Sequence, residues 1–155
     1  MPSILIGVIS DTHRLLRPEA LDALRGAEHI IHAGDIGSPE ILEKLAAIAP
    51  VTAVRGNIDK EVWSCELPEA QVVELDGISI YVLHDLSLLD LDPASAGLAM
   101  VVSGHSHQPK IDRSRGVLYV NPGSIGPRRF RLPVSFAKVA FEEQKFVVEL
   151  VHLDA

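Results

Sequence analysis

The segment GLAMVVSGHSHQP, residues 97–109, stops an apolar run at a glycine and then presents two histidines, His105 and His107, with one serine between them. Imidazole binds metal ions and carries protons near neutral pH, so what surrounds this pair decides its use. Four other apolar runs close on groups of the same kind. Ser10-Asp11-Thr12-His13 follows the first, Gly34-Asp35 the second, Gly56-Asn57 the third, and His84 ends the fourth. Five strand-like segments thus deliver Asp11, His13, Asp35, Asn57, His84, His105 and His107 at their carboxyl ends. Carboxylate, amide oxygen and imidazole together suit borderline divalent ions such as manganese, iron, zinc or nickel, whereas an all-oxygen set suits magnesium or calcium. Seven donors exceed what one ion in an open site takes from protein, yet they fit two ions sharing a carboxylate. Two ions roughly 3.5–4 Å apart form the arrangement that acts on phosphate esters.

The elements that must position these groups follow from hydrophobic patterning. SILIGVI is a continuous, β-branched apolar run, the pattern of a strand covered on both faces. PEALDALRG follows as a helix, with proline at its first turn and Gly26 at its stop. HIIHAGD reads as a second strand and SPEILEKLAAIAP as a second helix, with Ser38 as N-cap, Pro39 at the first position and Pro50 beyond the end. VTAVRGN is a third strand, and the alternation predicts a parallel sheet with right-handed crossovers. AQVVELDGISIYVLHD then reads as a hairpin turning at Asp76-Gly77. A short helix is expected after Pro93, followed by strands in LAMVVSG, GVLYVN, VSFAKVAFEEQ and KFVVELVHL. The expected fold is α/β: two packed mixed β-sheets flanked by helices, in a single domain over residues 1–155 with no repeat or linker. In such sheets, sites form at the carboxyl edge of the strands, where the polar groups fall.

Composition narrows the function classes. A chain of 155 residues, 47% hydrophobic, can bury a core as one domain without staples. The single cysteine, Cys65, excludes an intramolecular disulfide framework and implies a reducing compartment, the cytoplasm. The apolar start MPSILIGVISDTH meets charge far too soon for a membrane span and lacks a basic leader. A net charge of −7 argues against stable nucleic-acid binding through a basic surface, so any phosphate ligand would have to be attracted by bound cations. No membrane partner is expected, and homo-oligomerisation is left open.

In this order, DTH, GD, GN, a strand-end His and GHSH resemble the calcineurin-like metallophosphoesterase superfamily. The small size, the missing cap domain, GNID and the late NPGSIGPRR are similar to its YfcE-type phosphodiesterase branch, and the resemblance runs from about Ile4 through the C-terminal strands. It implies an αββα sandwich and a cytoplasmic phosphodiesterase. It implies two divalent transition-metal ions as cofactors, manganese foremost, with nickel, iron or zinc as alternatives. Asp11, His13 and His107 would hold the first ion, and Asn57, His84 and His105 the second. Asp35 would bridge both, so that the H-x-H turn gives one imidazole to each. Asp35, Asn57 and His105 are the catalytic residues it implies. A hydroxide shared by the metals would attack the phosphorus of a small phosphodiester in line. The alternative is a non-catalytic, protein-binding scaffold on the same fold, like a retromer subunit; intact ligand positions favour catalysis. A dinucleotide-binding domain is excluded, because GVISDTHR stands where its glycine fingerprint belongs.

Two positions depart from the superfamily pattern. Ile58 stands where a histidine commonly follows the metal-binding Asn and protonates the leaving group, which favours substrates with good leaving groups. Asp85 stands where glycine typically follows the ligand His84, and it is open between repelling phosphate, accepting a hydrogen bond from water, and pointing away. His29, His32 and His152 have no place in the ligand pattern, although His32 could orient a ligand from behind it. Trp63 and Cys65 lie in a loop where the aromatic could border the cleft, with a core or interface role favoured. Arg128, Arg129 and Arg131 are open between contacting phosphate and solvating a loop.

Overall fold

The computed structural model describes residues 4–128, 131–142 and 145–153. Two five-stranded sheets are packed face to face. The first has the order β10-β9-β1-β2-β3, built from β1 (Ile4–Ile9), β2 (His29–His32), β3 (Val51–Ala53), β9 (Val134–Glu142) and β10 (Lys145–Leu153). β1, β2 and β3 are parallel, and β9 and β10 add an antiparallel edge. The second has the order β4-β5-β6-β8-β7, from β4 (Ala70–Leu75), β5 (Ile78–Leu83), β6 (Met100–Val102), β7 (Lys110–Ser114) and β8 (Val117–Asn121). No helix among the described residues is long and apolar enough to cross a membrane.

Between the sheets, Ile6, Val8, Ile31, Val54, Ala137 and Val139 meet Ile80, Val82, Met100, Val102, Leu118 and Val120. The alternate residues Ile9, Ile30 and Phe136 face outward, where α1 (Pro18–Leu24) and α2 (Pro39–Ala46) cover them with Ala20, Leu24, Ile41 and Leu45. Strands buried on both faces are the reason the first apolar runs show no alternation. Both α-helices lie on this side. The outer face of the second sheet, with Leu83, Val101 and Val117, receives Leu89 and Ala94 from the segment between β5 and β6.

The hairpin at Asp76-Gly77 forms as expected, with φ of 52° and 82° at its two turn residues, both in the left-handed region a type I′ turn requires. The helix expected after Pro93 does not form. Residues 93–97 make turns, with Ala96 N–H on Asp92 O and Leu98 N–H on Pro93 O, and Gly97 at φ 77° redirects the chain into β6 before a second helical turn can start. Strand β7 was not expected, because all five of its residues are exposed and no apolar alternation marks it. It is formed by pairing with β8 across Arg115-Gly116, both at positive φ.

Candidate metal centre

The seven sequence-predicted donors fall at the same end of the two sheets. Asp11, His13, Asp35 and Asn57 follow β1, β2 and β3 of the first sheet, and His84, His105 and His107 follow β5 and β6 of the second. Backbone hydrogen bonds continue past the strand ends and stitch these loops together: Asp11 N–H to Gly34 O, His13 N–H to Asp35 O, and Gly104 N–H to His84 O. The sheets are joined directly where His105 N–H donates to Asp11 Oδ2 at 3.2 Å. Glycine is required at two of these crossings. A Cβ at Gly104 would run into Ser10 Oγ and Asp11 Oδ2, and one at Gly56 into the Asp35 carboxylate and its backbone nitrogen.

Asp11, His13, Asp35, His105 and His107 all have φ between 46° and 72°. Left-handed backbone is uncommon for residues other than glycine and costs energy where it occurs, so its concentration on candidate donors shows that packing holds these side chains in aimed positions.

Two groups of potential ligand atoms result: Asp11, His13 and His107 form one, and Asp35, His84 and His105 the other, with the atoms of each group within 4.8 Å of one another. Asp11 is fully buried. Its Oδ2 accepts from Ser10 Oγ at 2.6 Å and from His105 N–H, while Oδ1 has no hydrogen-bond donor and faces His107 Nε2 at 3.4 Å and His13 Nε2 at 3.5 Å. Asp35 lies between the groups, its Oδ2 being 3.5 Å from His13 Nε2 and 3.2 Å from His84 Nε2, while Oδ1 accepts Ile58 N–H. His84 Nδ1 lies 2.8 Å from Ala33 O, a partner that can only accept, so Nδ1 carries the hydrogen and Nε2 presents its lone pair inward. His105 is half exposed and packs edge-on to His84, with ring centroids 5.1 Å apart. Asn57 is exposed and lines a cleft of about 390 Å³ together with His84, Asp85 and His105.

Asp11 Oδ1, His13 Nε2, His84 Nε2 and His107 Nδ1 are buried without a hydrogen-bond partner. Orphaned buried polar atoms are costly. Three of them, Asp11 Oδ1, His13 Nε2 and His84 Nε2, face one another across the two carboxylates and fit a cation centre, and the mixed oxygen and nitrogen donors fit borderline divalent ions. The local electrostatics agree. Burial alone would raise the Asp11 carboxyl, but His107, His13 and Ser10 outweigh it and hold the group well below the carboxylate range. Asp35 is lowered likewise, burial being overcome by His84 and the Ile58 N–H. His84 is raised although burial opposes it, because Asp35 and Asp11 favour its charged form.

Two residues behind the donors tie the loops down. His32 is fully buried, and its Nδ1 accepts Gly34 N–H at 3.1 Å, which leaves Nε2 to donate to Thr12 Oγ1 at 3.0 Å; Thr12 Oγ1 donates onward to Ile36 O. Burial drives its pKa down to about 4, so the ring is neutral at pH 7. Asp59, the last residue of GNID, is 2% exposed and accepts N–H bonds from Ile36, Gly37 and Gly56. It makes no salt bridge among the described residues. One buried carboxylate thus fastens the loop after Asp35 to the loop bearing Asn57, and only its place in a Gly-Asn-x-Asp turn could have signalled it.

The remaining positions resolve as follows. Asp85 does not point away: Oδ1 caps the short turn at Ser87, accepting its N–H and hydroxyl, and Oδ2 lies 3.9 Å from His105 Nε2. Ile58 is 41% exposed beside Asp35, with no side-chain donor to offer. Trp63 packs against the helix-side core, and Cys65 is exposed. His29 bonds Thr52 between β2 and β3, and His152 is exposed on β10. Arg128 bonds Leu132 O on the surface, Arg131 is exposed, and Arg129 lies outside the described residues.

Residues 4–144 match the model of the calcineurin-like phosphoesterase superfamily domain. A protein of Methanothermobacter thermautotrophicus described as a probable metallophosphoesterase is 35% identical, over 98% of this chain and 94% of its own. A phosphodiesterase of Methanocaldococcus jannaschii is 28% identical over 76% of this chain and 82% of its own. Among solved structures, Vps29 of Chaetomium thermophilum superposes with a TM-score of 0.76 at 21% identity, covering 96% of this chain and 97% of that one, which is a likeness of fold.

Proposed function

This chain belongs to the calcineurin-like phosphoesterase superfamily, and from that membership we propose that it is a binuclear-metal phosphodiesterase acting on small diesters with good leaving groups. The observation that carries the reading is the convergence of unpaired atoms from Asp11, His13 and His84 beside Asp35, which faces both groups, with His107 Nε2 against Asp11. Asp11, His13 and His107 would hold one divalent ion and Asn57, His84 and His105 the other, with Asp35 shared. Bound there, the two ions would supply Lewis acidity and activate water as a nucleophile at neutral pH. The chain's own residues do the rest. Asp35, anchored by Ile58 N–H through Oδ1, keeps Oδ2 between the two groups. His84 is held in one tautomer by Ala33 O, and half-exposed His105 with Asn57 borders the cleft where a phosphoryl oxygen would sit. No side chain at position 58 can protonate a leaving group, so phenolate-like leaving groups are favoured. A diester carries one negative charge and a monoester up to two, and Asp85 beside His105 disfavours the second. The name of the Methanocaldococcus jannaschii relative supports diester chemistry. A protein-binding scaffold shares the fold, and the names of the archaeal relatives favour the enzyme over it.

The test is manganese loading followed by elemental analysis, with hydrolysis of bis(p-nitrophenyl) phosphate as readout. About two ions per chain and cleavage are expected. Asp35→Ala should abolish turnover and lower the stoichiometry. A chain that binds no manganese, or an Asp35→Ala variant with full turnover, would overturn the proposal.

A further inference from the structure

A second cavity of about 650 Å³ opens from the other side of His105 and Asp85 and runs along the outer face of the second sheet. Alternation on the edge strand β7 turns Lys110, Asp112 and Ser114 into it, and Tyr119 on β8 stands directly opposite Asp112. This wall is fixed to the candidate centre. Asn121, the β8 partner of Lys110, donates through its side-chain amide to Gly104 O at 3.0 Å and to Ser106 Oγ at 3.1 Å, holding the His105 turn against the strand. No ion pair among the described residues engages Lys110, and the Tyr119 hydroxyl has no hydrogen-bond partner among them, so both are available to a ligand. Most of the lining residues carry polar groups, with Gln108 and Lys110 as donors, Asp112 as acceptor and one half-buried aromatic, while carbon makes up the larger part of the exposed wall.

A phosphodiester has two arms, and in-line displacement expels one and retains the other. We infer that this groove binds the retained arm, and that the preferred arm is a hydrogen-bonding, hydroxylated group of nucleoside size rather than an alkyl or acyl chain. The size argument is that ligand clefts run from about 300 to 1,000 Å³, so this one exceeds what a methyl or ethyl arm needs. The chemical argument is that an apolar chain would strip water from Lys110, Gln108 and Asp112 and leave them unpaired. A nucleoside instead offers donors and acceptors to pair with them and a flat ring to meet Tyr119. The inference rests on the phosphodiesterase reading and specifies its substrate class.

Two esters with the same leaving group and charge isolate the retained arm: methyl p-nitrophenyl phosphate and thymidine 5′-(p-nitrophenyl) phosphate, each assayed with the manganese-loaded enzyme. The kcat/KM for the thymidine ester should exceed that for the methyl ester by about tenfold or more. Lys110→Ala should bring the ratio down several-fold, mainly through KM of the thymidine ester. Asp112→Trp, which fills the groove from an exposed strand position that accepts aromatics, should bring it close to one. A wild-type ratio near one, or variants that change both esters equally, would overturn the groove assignment while leaving the phosphodiesterase intact. Hydrolysis of neither ester would overturn both.

Discussion

Replacing Asp59 by Asn isolates what a buried carboxylate does for a centre it does not touch. The four contacts at Asp59 are Ile36 N–H to both oxygens at 3.1 Å, Gly37 N–H to Oδ1 at 3.0 Å and Gly56 N–H to Oδ2 at 2.9 Å. An amide of the same shape keeps one acceptor oxygen. With its oxygen toward Ile36 and Gly37, its NH₂ faces the Gly56 N–H, donor against donor; flipped, it abandons Gly37 and weakens the hold on Ile36. Each buried donor left unsatisfied costs about 1–3 kcal/mol. Burying a neutral amide instead of an uncompensated charge returns part of this, so a net loss of about 2 kcal/mol is expected, roughly 4–8 °C in Tm for a domain of this size. The effect on metal binding should be larger at the Asn57 side, because releasing Gly56 frees the loop that carries Asn57. Partners of this indirect kind typically change metal affinity by about 10- to 100-fold. Thermal denaturation of the metal-free variant and calorimetric titration with manganese read the two effects separately. A variant with wild-type Tm and two unchanged manganese affinities would refute the role assigned to Asp59.

Three further outcomes follow from the same geometry. His32, with a folded pKa near 4 against the ordinary 6.5, stays neutral while the unfolded chain protonates, so stability present above pH 6.5 is lost as pH falls toward 4, by roughly 3 kcal/mol; urea denaturation across that window should show a shallower loss in His32→Gln, and an unchanged slope would remove His32 as its source. Ile58→His should accelerate alkyl-type leaving groups selectively, by at most ~100- to 10,000-fold, with rates along a series of aryl esters of rising phenol pKa falling less steeply than in wild type; a flat wild-type series would mean that another group already acts as the acid. Asp85→Gly should improve monoester kcat/KM by up to about tenfold more than diester kcat/KM, and equal changes would show that the carboxylate acts only through the Ser87 turn it caps.

Much of the centre could be read before any coordinates because its donors are local features. Each follows an apolar run, and the runs are visible since strands buried on both faces need unbroken Val, Ile and Leu. Asp76-Gly77 fixed its own turn by permitting positive φ at both positions. Tertiary structure decided what depends on neighbours distant in the chain. Strand β7 exposes every residue and exists because β8 supplies its hydrogen bonds, so hydrophobic periodicity carried no trace of it. The helix expected after Pro93 gave way to turns, since the segment had to cover Leu83 and Val101 and still re-enter the sheet at Met100. The division of donors into two groups with Asp35 between them arises where the first sheet meets the second, through contacts such as His105 N–H to Asp11 Oδ2 that span 94 residues. Asp59 looked like any loop carboxylate in the sequence. Its burial and its three backbone donors come from loops 22 or 23 residues upstream as well as from its own turn, and a hydrogen-bonding role of that kind is written in the packing of loops rather than in the periodicity of the chain.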